Sequence, residues 1–149
     1  QDAWVRSQQA VREVLPLAAE LNVTLAIENV GNRFLLSPLE FARYIDEFKS
    51  PHVRAYFDIG NSLVLWSYPQ DWIRTLGRRI CKLHVKDYDQ STKRWTSVGE
   101  GDVDWPAVGE ALREIDYRGF ATAELRAGDE AYLRDVARRM DQVFARLSA

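Results

Sequence analysis

Residues 53–58 read Val-Arg-Ala-Tyr-Phe-Asp, a largely apolar run that ends on a carboxylate. Three further runs have the same form and end on Glu28, His84 and Glu124: residues 24–28, 80–84 and 119–124. Each run has the length and composition of a buried strand, and a helical pattern separates each one from the next. Because strands joined by helices in one sheet run parallel, we expect all four carboxyl ends at the same edge of the sheet.

The helical patterns around these runs carry their own start and stop signals. Residues 3–21 have the apolar spacing of an amphipathic helix, in which Pro16 is expected to cause a kink or a restart. Residues 37–40, Ser-Pro-Leu-Glu, form a capping box with proline at the first helical position. A last helix is predicted over residues 129–147.

The connections after the second run are less regular. Residues 60–62, Gly-Asn-Ser, predict a turn, and residues 63–67 a short helix. Further helices are predicted to begin at Pro69 and after Asp104, which has the side chain of a helix cap. Residues 86–103 form the longest irregular stretch, and a loop of this length inside a compact domain is more often functional than idle.

The order of elements is one helix followed by four strand–helix units, which predicts an α/β fold with a parallel sheet and outer helices. Four such units are half of a (β/α)8 barrel, and a whole barrel typically needs about 250 residues. With 149 residues, the chain is expected to form a single domain over residues 1–149 that contains only half of such a barrel.

Composition and charge exclude several classes of protein. A net charge of −2 and a pI near 5.7 provide no basic field for nucleic acid. No apolar stretch approaches the roughly 18–20 residues of a membrane span, and residues 1–6 lack the pattern of a signal peptide. The single cysteine, Cys81, has no partner for an internal disulfide, which favours a reducing compartment. We therefore expect a cytoplasmic protein with no nucleic-acid or membrane partner.

The residues at the four strand ends are the candidate functional residues: Glu28, Asp58, His84 and Glu124. A charged side chain at the end of a buried strand is costly unless it is paired or binds metal. Any one of them alone is more often a helix cap or an ion-pair partner. Four at the same structural position favour a metal site, and carboxylates with one imidazole suit Mn²⁺, Mg²⁺, Co²⁺ or Zn²⁺ without distinguishing among them.

Four motifs give the sequence a family resemblance: Leu25-Ala-Ile-Glu28-Asn29, Tyr56-Phe-Asp58-Ile-Gly60-Asn61, Lys82-Leu-His84-Val-Lys86-Asp87 and Gly99-Glu-Gly101-Asp-Val-Asp104-Trp105. The sequence resembles the sugar-phosphate isomerase/epimerase family of the xylose-isomerase-like TIM barrels, which includes tagatose and ribulose-phosphate 3-epimerases. The resemblance covers essentially the whole chain but only strands five to eight of the family's barrel. It implies one divalent metal ion bound by Glu28, Asp58, His84 and Glu124, with Glu28 and Glu124 also acting as catalytic acid and base.

The chemistry of a ketose agrees with this implication. Moving a proton next to a carbonyl needs an electrophile that stabilises the enediolate and a base near the carbon acid. A divalent metal ion meets the first need and a carboxylate the second. Two carboxylates on opposite sides of the substrate would permit epimerisation. The expected substrate is therefore a small ketose or ketose phosphate.

Three further side chains are candidate substrate ligands. Lys86 lies two residues after His84 and points to the same side if the strand continues. Asn61 resembles a position where many relatives have histidine, and its amide suits a sugar hydroxyl better than a metal ion, which argues for a single metal. Arg33 follows Glu28 in a short loop and can form paired hydrogen bonds to a phosphate. A solvated lysine and a surface arginine are the competing interpretations of Lys86 and Arg33.

Histidine and tryptophan complete the set of candidates. His52 precedes its strand and belongs on the opposite rim, so it is assigned no catalytic role. Trp72 and Trp105 begin helices and are expected in the core, whereas Trp66 and Trp95 lie in loops where they can cover a sugar.

Several alternatives stay open at this stage. The same scaffold supports an inosose-dehydratase-like lyase, or a half-barrel that binds metal without turnover. An endonuclease IV-like activity is rejected, because its three zinc ions need many histidines and this chain has 2. A half-barrel also leaves edges and inward side chains uncovered, those of Tyr56 and Leu83 among the candidates. We therefore expect a homodimer or pairing with a missing amino-terminal half-barrel.

Overall fold

The structure, a computed structural model, describes residues 2–145. Its strands are β1 (Leu25–Glu28), β2 (Val53–Asp58), β3 (Ile80–Val85), β4 (Asp87–Asp89), β5 (Arg94–Thr96) and β6 (Phe120–Ala123). Four of them form a parallel sheet in the order β1-β2-β3-β6, and β4 and β5 form a separate antiparallel hairpin. The predicted sheet of four parallel strands is therefore confirmed.

Helices precede and follow the strands of the parallel sheet as the sequence predicts. They are α1 (Asp2–Glu20), α2 (Pro38–Asp46), α3 (Ile59–Val64), α4 (Pro69–Leu76), α5 (Trp105–Glu114) and α6 (Glu130–Ala145), with a 3-10 turn over Gly77–Arg79. Helix α1 continues through Pro16 without the restart that was one of the two expectations. The end of the predicted last helix, residues 146–147, lies outside the described residues.

Helix α2 shows how local sequence sets an element boundary. The Ser37 hydroxyl accepts a hydrogen bond from the Glu40 amide at 3.2 Å, and the Glu40 carboxylate accepts one from the Leu36 amide at 2.8 Å. The first bond satisfies an amide that the first helical turn leaves free, and the second ties the residue before the cap to the helix. Phe41 and Ile45 then lie buried on the inner face of the helix.

The turn predicted over residues 60–62 is wrong, because these residues are the first turn of α3. The Asp58 carboxylate accepts a hydrogen bond from the Asn61 amide at 2.7 Å, so the last residue of β2 is also the cap of the next helix. This cap starts the helix immediately after the strand and leaves no room for a separate turn.

The stretch over residues 86–103 is more ordered than the sequence suggested, since it contains the β4–β5 hairpin. The Asp89 carboxylate accepts hydrogen bonds from the amides of Ser91 at 2.8 Å and Thr92 at 2.9 Å. An aspartate that bonds the backbone two and three residues ahead is a common way to close such a turn.

The parallel sheet has one covered face and one open face. Phe57 and Leu83, on the covered face of the central strands, are fully buried, and Phe57 stacks on Trp72 of α4 with ring centroids 5.8 Å apart. Paired residues of neighbouring strands point to the same side, and the even-numbered pairs place Phe120, which is 80% exposed, on the open face with Tyr56. Of the two side chains named as candidates for the uncovered inward face, Tyr56 therefore lies on it and Leu83 does not.

The tryptophans of the core and of the loops separate as expected. Trp72 and Trp105 are buried, and Trp66 and Trp95 are 75% and 50% exposed. None of the helices in residues 2–145 is long and apolar enough to cross a membrane.

Candidate metal centre

The four strand-end side chains meet at one edge of the parallel sheet. Glu28 and Asp58 are the last residues of β1 and β2, His84 lies one residue before the end of β3, and Glu124 directly follows β6. Asp58 lies beside His84 in the register, and the Glu124 amide donates to the Val85 carbonyl at 3.1 Å. One potential ligand atom from each of the four residues lies within 4.8 Å of the others.

His84 is at the middle of this group. Its Nδ1 atom is 2.8 Å from Glu28 Oε1 and 3.9 Å from both Asp58 Oδ2 and Glu124 Oε2. The Tyr56 ring packs against the imidazole with centroids 4.0 Å apart and an interplanar angle of 34°. This contact restricts the imidazole, so the histidine is held with one ring nitrogen facing three carboxylates.

Asp58 is fully buried, and its two oxygens have different surroundings. Oδ1 accepts the helix-capping bond from Asn61, whereas Oδ2 has no hydrogen-bond partner of good geometry, although the Lys86 ammonium lies 2.8 Å away. Burial raises the pKa of Asp58 to about 6, against the opposing effect of Lys86. A buried carboxylate oxygen that lacks a hydrogen bond and faces three other donors fits a divalent cation.

The Lys86 ammonium contacts two of these carboxylates. Its side chain is 13% exposed, and its ammonium donates to Glu124 Oε2 while pairing with Asp58. Burial opposes the charge on Lys86, but the ion pair with Asp58 and the hydrogen bond to Glu124 outweigh this effect and raise the pKa of the lysine. The same hydrogen bond lowers the pKa of Glu124.

Sequence reasoning missed the role of Asn29, which connects the ends of β1 and β2. Asn29 is fully buried; its side chain donates to the Asp58 carbonyl at 2.9 Å and accepts from the Asp58 amide at 2.7 Å. The Asn61 side chain in turn donates to the Asn29 carbonyl at 2.9 Å. Together these bonds fix the backbone that carries Glu28 and Asp58. The only signal in the sequence is an asparagine directly after a strand-end glutamate.

Asp87 has a similar positioning role on the other side of the site. It is fully buried directly after Lys86, and it accepts four hydrogen bonds that anchor the loop over residues 88–105. This loop brings the Trp95 ring to 4.8 Å from the Lys86 ammonium. Nothing in the spacing of the residues indicates that one carboxylate organises the whole loop.

The remaining candidates lie around the rim. Arg33 is exposed in the loop after β1, with a positive φ of 62°, and among the described residues no hydrogen bond or ion pair involves its guanidinium. Asn61 is buried, and its amide nitrogen is engaged by Asn29. His52 lies at the opposite end of the sheet, where its ring is 3.3 Å from the Val23 carbonyl.

An open cleft of about 700 Å³ adjoins the carboxylates. Lys86 and Glu124 line its inner end, Trp95 lines the side formed by the hairpin, and Arg126 and Tyr132 line the side toward α6. Of the four candidate metal ligands, Glu124 is the one that lines this cleft, which is large enough for a small sugar.

Comparison with known families agrees with this arrangement. A family model described as "Xylose isomerase-like TIM barrel" matches residues 1–143. The chain belongs to this family. The four parallel strands thus correspond to half of the family's barrel, and the four potential metal ligands lie at the end of the barrel where such folds place their active sites.

Two curated proteins are similar to this chain. A D-psicose 3-epimerase of Enterocloster bolteae is 32% identical over 123 residues, which cover 80% of this chain and 39% of that protein. An L-ribulose-5-phosphate 3-epimerase of Escherichia coli is 30% identical over 147 residues, covering 96% of this chain and 51% of that protein. The chain spans about half the length of these relatives or less.

Solved structures match over a similar extent. The D-psicose 3-epimerase of Clostridium cellulolyticum, solved with D-tagatose, superposes with a TM-score of 0.82 at 23% identity. The match covers 97% of this chain and 56% of that one. At this identity the likeness establishes the fold, and it agrees with a half-barrel.

Proposed function

We propose that this chain carries the metal-binding and proton-transfer residues of an enzyme that epimerises a ketose or a ketose phosphate. The observation that carries the proposal is the meeting of Glu28, Asp58, His84 and Glu124 within 4.8 Å at the strand ends. The relatives named as 3-epimerases of psicose and ribulose 5-phosphate support it, and they favour epimerisation over dehydration.

The four residues would hold one divalent cation, and their donor set suits Mn²⁺, Mg²⁺, Co²⁺ or Zn²⁺. When bound, the cation would stabilise negative charge that develops on the substrate oxygens. Asp58 and His84 would serve as ligands only, because Asp58 is fully buried and the His84 ring is held by Tyr56.

Glu28 and Glu124 would transfer the protons. They lie at the ends of the two outer strands of the sheet: Glu28 ends β1, and Glu124 directly follows β6. Two carboxylates that approach from opposite sides can remove a proton from one face of a carbon and return one to the other face, which inverts that carbon. Glu124 also lies in the cleft, where its side chain is 47% exposed and a substrate can reach it.

The substrate would be bound by Lys86, Arg33 and Asn61. Lys86 lines the cleft and presents a cation next to the carboxylates. The Asn61 amide nitrogen is engaged by Asn29, so a sugar hydroxyl would have to donate to Asn61 Oδ1. Arg33, exposed on the rim, would be the residue for a phosphate group if the substrate carries one.

Calorimetric titration with Mn²⁺ tests the metal centre. His84→Ala should lower the affinity at least about a hundredfold, because it removes the donor that lies between the carboxylates. His52→Ala removes the other histidine, at the opposite end of the sheet, and should leave the affinity unchanged. Equal affinities of the two variants, or no Mn²⁺ binding by the unsubstituted protein, would contradict the proposed centre.

Deuterium incorporation tests the proton transfer. Ketoses and ketose phosphates incubated with the protein and Mn²⁺ in D₂O should gain deuterium at the carbon next to the carbonyl as they epimerise. Conversion without deuterium uptake would indicate a hydride shift instead. Metal binding without any conversion would indicate a chain that binds metal but lacks the rest of an active site.

The partner of this half-barrel is a further part of the proposal. Residues 1–149 would form one domain whose open face, with Phe120 80% exposed, needs cover. A second copy or a separate amino-terminal half-barrel would bury this face and both outer strands. Sedimentation at micromolar concentration should therefore show an assembly, and a stable monomer of 17.2 kDa would refute this part.

A further inference from the structure

A cation of the chain itself occupies part of the candidate metal centre. The Lys86 ammonium lies 2.8 Å from Asp58 Oδ2 and also contacts Glu124 Oε2. These are the same two oxygens that lie 3.9 Å from His84 Nδ1. Lys86 therefore takes two of the oxygen atoms that a divalent ion bound beside His84 would use.

We propose that Lys86 is a built-in counter-cation that competes with the metal. In the metal-free protein it holds Asp58 and Glu124 together, and a divalent ion displaces it from them on binding. The proposal rests on the metal centre of the proposed function and adds a role for Lys86 that precedes any contact with substrate.

Charge is the first reason for this role. Glu28, Asp58 and Glu124 lie close enough for strong mutual repulsion, and Asp58 is fully buried, so water cannot reduce that repulsion at its carboxylate. The Lys86 ammonium compensates part of this charge when no metal is bound. A divalent ion next to the same oxygens would repel the ammonium, so the two cations cannot share them.

The packing of the lysine stem is the second reason. A Cβ atom added at Gly60 would lie 2.6 Å from Lys86 Cγ and 3.1 Å from the Trp95 ring, so the start of the lysine chain is enclosed on this side. The ammonium lies 4.8 Å from the centroid of the Trp95 ring. The stem is thus held on one side, and the face of Trp95, which the ammonium already approaches, can keep the charged end at the cleft after it leaves the carboxylates.

The test compares Mn²⁺ binding and thermal unfolding of the unsubstituted protein and Lys86→Met. Methionine keeps an unbranched apolar chain and removes the charge. Lys86→Met should bind Mn²⁺ roughly tenfold more tightly, because no internal cation has to be displaced. In EDTA it should unfold at a lower temperature than the unsubstituted protein, and saturating Mn²⁺ should remove this difference.

Lys82→Met is the matched control. Lys82 lies in β3, the strand that Lys86 directly follows, and its ammonium lies 5.1 Å from the centroid of the Tyr56 ring. Among the described residues it forms no ion pair with a carboxylate. This variant should leave the Mn²⁺ affinity within about twofold of the unsubstituted protein, since its charge is exposed to solvent.

Two further measurements apply if Lys86→Met does not fold. Lys86→Arg keeps the charge and should bind Mn²⁺ with an affinity close to that of the unsubstituted protein. Zn²⁺ is used for fluorescence because, unlike Mn²⁺, it is not paramagnetic and does not quench tryptophan in that way. Its binding should change the tryptophan fluorescence of the unsubstituted protein but not that of Trp95→Phe. An emission change that survives in Trp95→Phe unaltered would overturn the movement of the ammonium.

Each outcome separates this inference from the metal centre itself. If the unsubstituted protein binds Mn²⁺ and Lys86→Met binds it equally or more weakly, the competition is refuted and the metal centre stands. If Lys82→Met gains as much affinity as Lys86→Met, a general charge effect replaces the specific displacement. If the unsubstituted protein binds no divalent ion, both proposals fall together.

Discussion

The Asp87 carboxylate holds the loop that brings Trp95 to the site, and its removal is the perturbation with the clearest expected magnitude. Oδ1 accepts from the amides of Tyr88 at 2.9 Å and Val103 at 3.2 Å. Oδ2 accepts from the Gly99 amide at 2.9 Å and from the Trp105 indole at 3.0 Å. Asp87→Ala would remove the acceptor of all four donors.

The loss of these four hydrogen bonds would not lower the free energy of unfolding by equal amounts. The bonds from Val103 and Trp105 are buried, so these two groups would lose their partner without gaining water, at about 1–3 kcal/mol each. The bonds from Tyr88 and Gly99 are only partly buried, so water can replace much of what is lost. We therefore expect Asp87→Ala to lower the free energy of unfolding by about 3–5 kcal/mol.

Urea unfolding followed by tryptophan fluorescence measures this loss. Asp102→Ala is the control from the same loop: Asp102 is exposed, accepts one hydrogen bond from the Gln90 amide at 2.7 Å, and should cost less than about 1 kcal/mol. Gly101→Ala should reproduce the larger loss, because its Cβ atom would lie 2.2 Å from Asp87 Oδ1. A loss below about 1 kcal/mol for Asp87→Ala would refute the reasoning, since it would mean that the loop is held by other contacts.

Three further predictions concern the site, the thiol and the core. Glu28→Gln and Glu124→Gln should each slow deuterium exchange into a ketose by a factor of about 10²–10⁴, while calorimetry still detects bound Mn²⁺; normal exchange in either variant would exclude that residue as a base. Burial raises the pKa of the Cys81 thiol, so less thiolate is present at pH 8 and iodoacetamide should alkylate the folded protein more slowly than the urea-unfolded chain; equal rates would contradict this. Phe57→Ala should lower the free energy of unfolding in urea by about 3–5 kcal/mol, because Phe57 is fully buried against Trp72; a loss under about 1 kcal/mol would show that the core refills the space.

The sheet and the site could be predicted because both depend on one repeated pattern. The run over residues 53–58 matches β2 at both ends, since Pro51 precedes it and a helix-capping aspartate ends it. Once four such runs are assigned to parallel strands, topology alone places Glu28, Asp58, His84 and Glu124 on one edge. No side-chain detail is needed for that step, so a single sequence is sufficient.

Features that depend on long-range polar contacts could not be predicted in this way. Residues 87–96 form a hairpin without alternating apolar residues, because the buried carboxylate of Asp87 and the turn at Asp89 order the backbone. The bridge from Asn29 to both backbone groups of Asp58 joins residues 29 positions apart. Periodicity reports which face of an element is buried, and it has no information about such partners.

Asp58 shows that the orientation of a side chain in this site depends on the fold as well as on the residue type. One oxygen caps α3 through the Asn61 amide at 2.7 Å, and this bond, with the Asn29 bridge on the backbone, fixes the direction of the other oxygen. That second oxygen is buried without a hydrogen bond and points at His84 and Lys86. Its orientation is thus set by the fold before any ligand arrives, which lowers the cost of ordering a ligand around it. The same burial disfavours the charged carboxylate, and a cation at this point of the structure, either Lys86 or a divalent ion, stabilises its charged form.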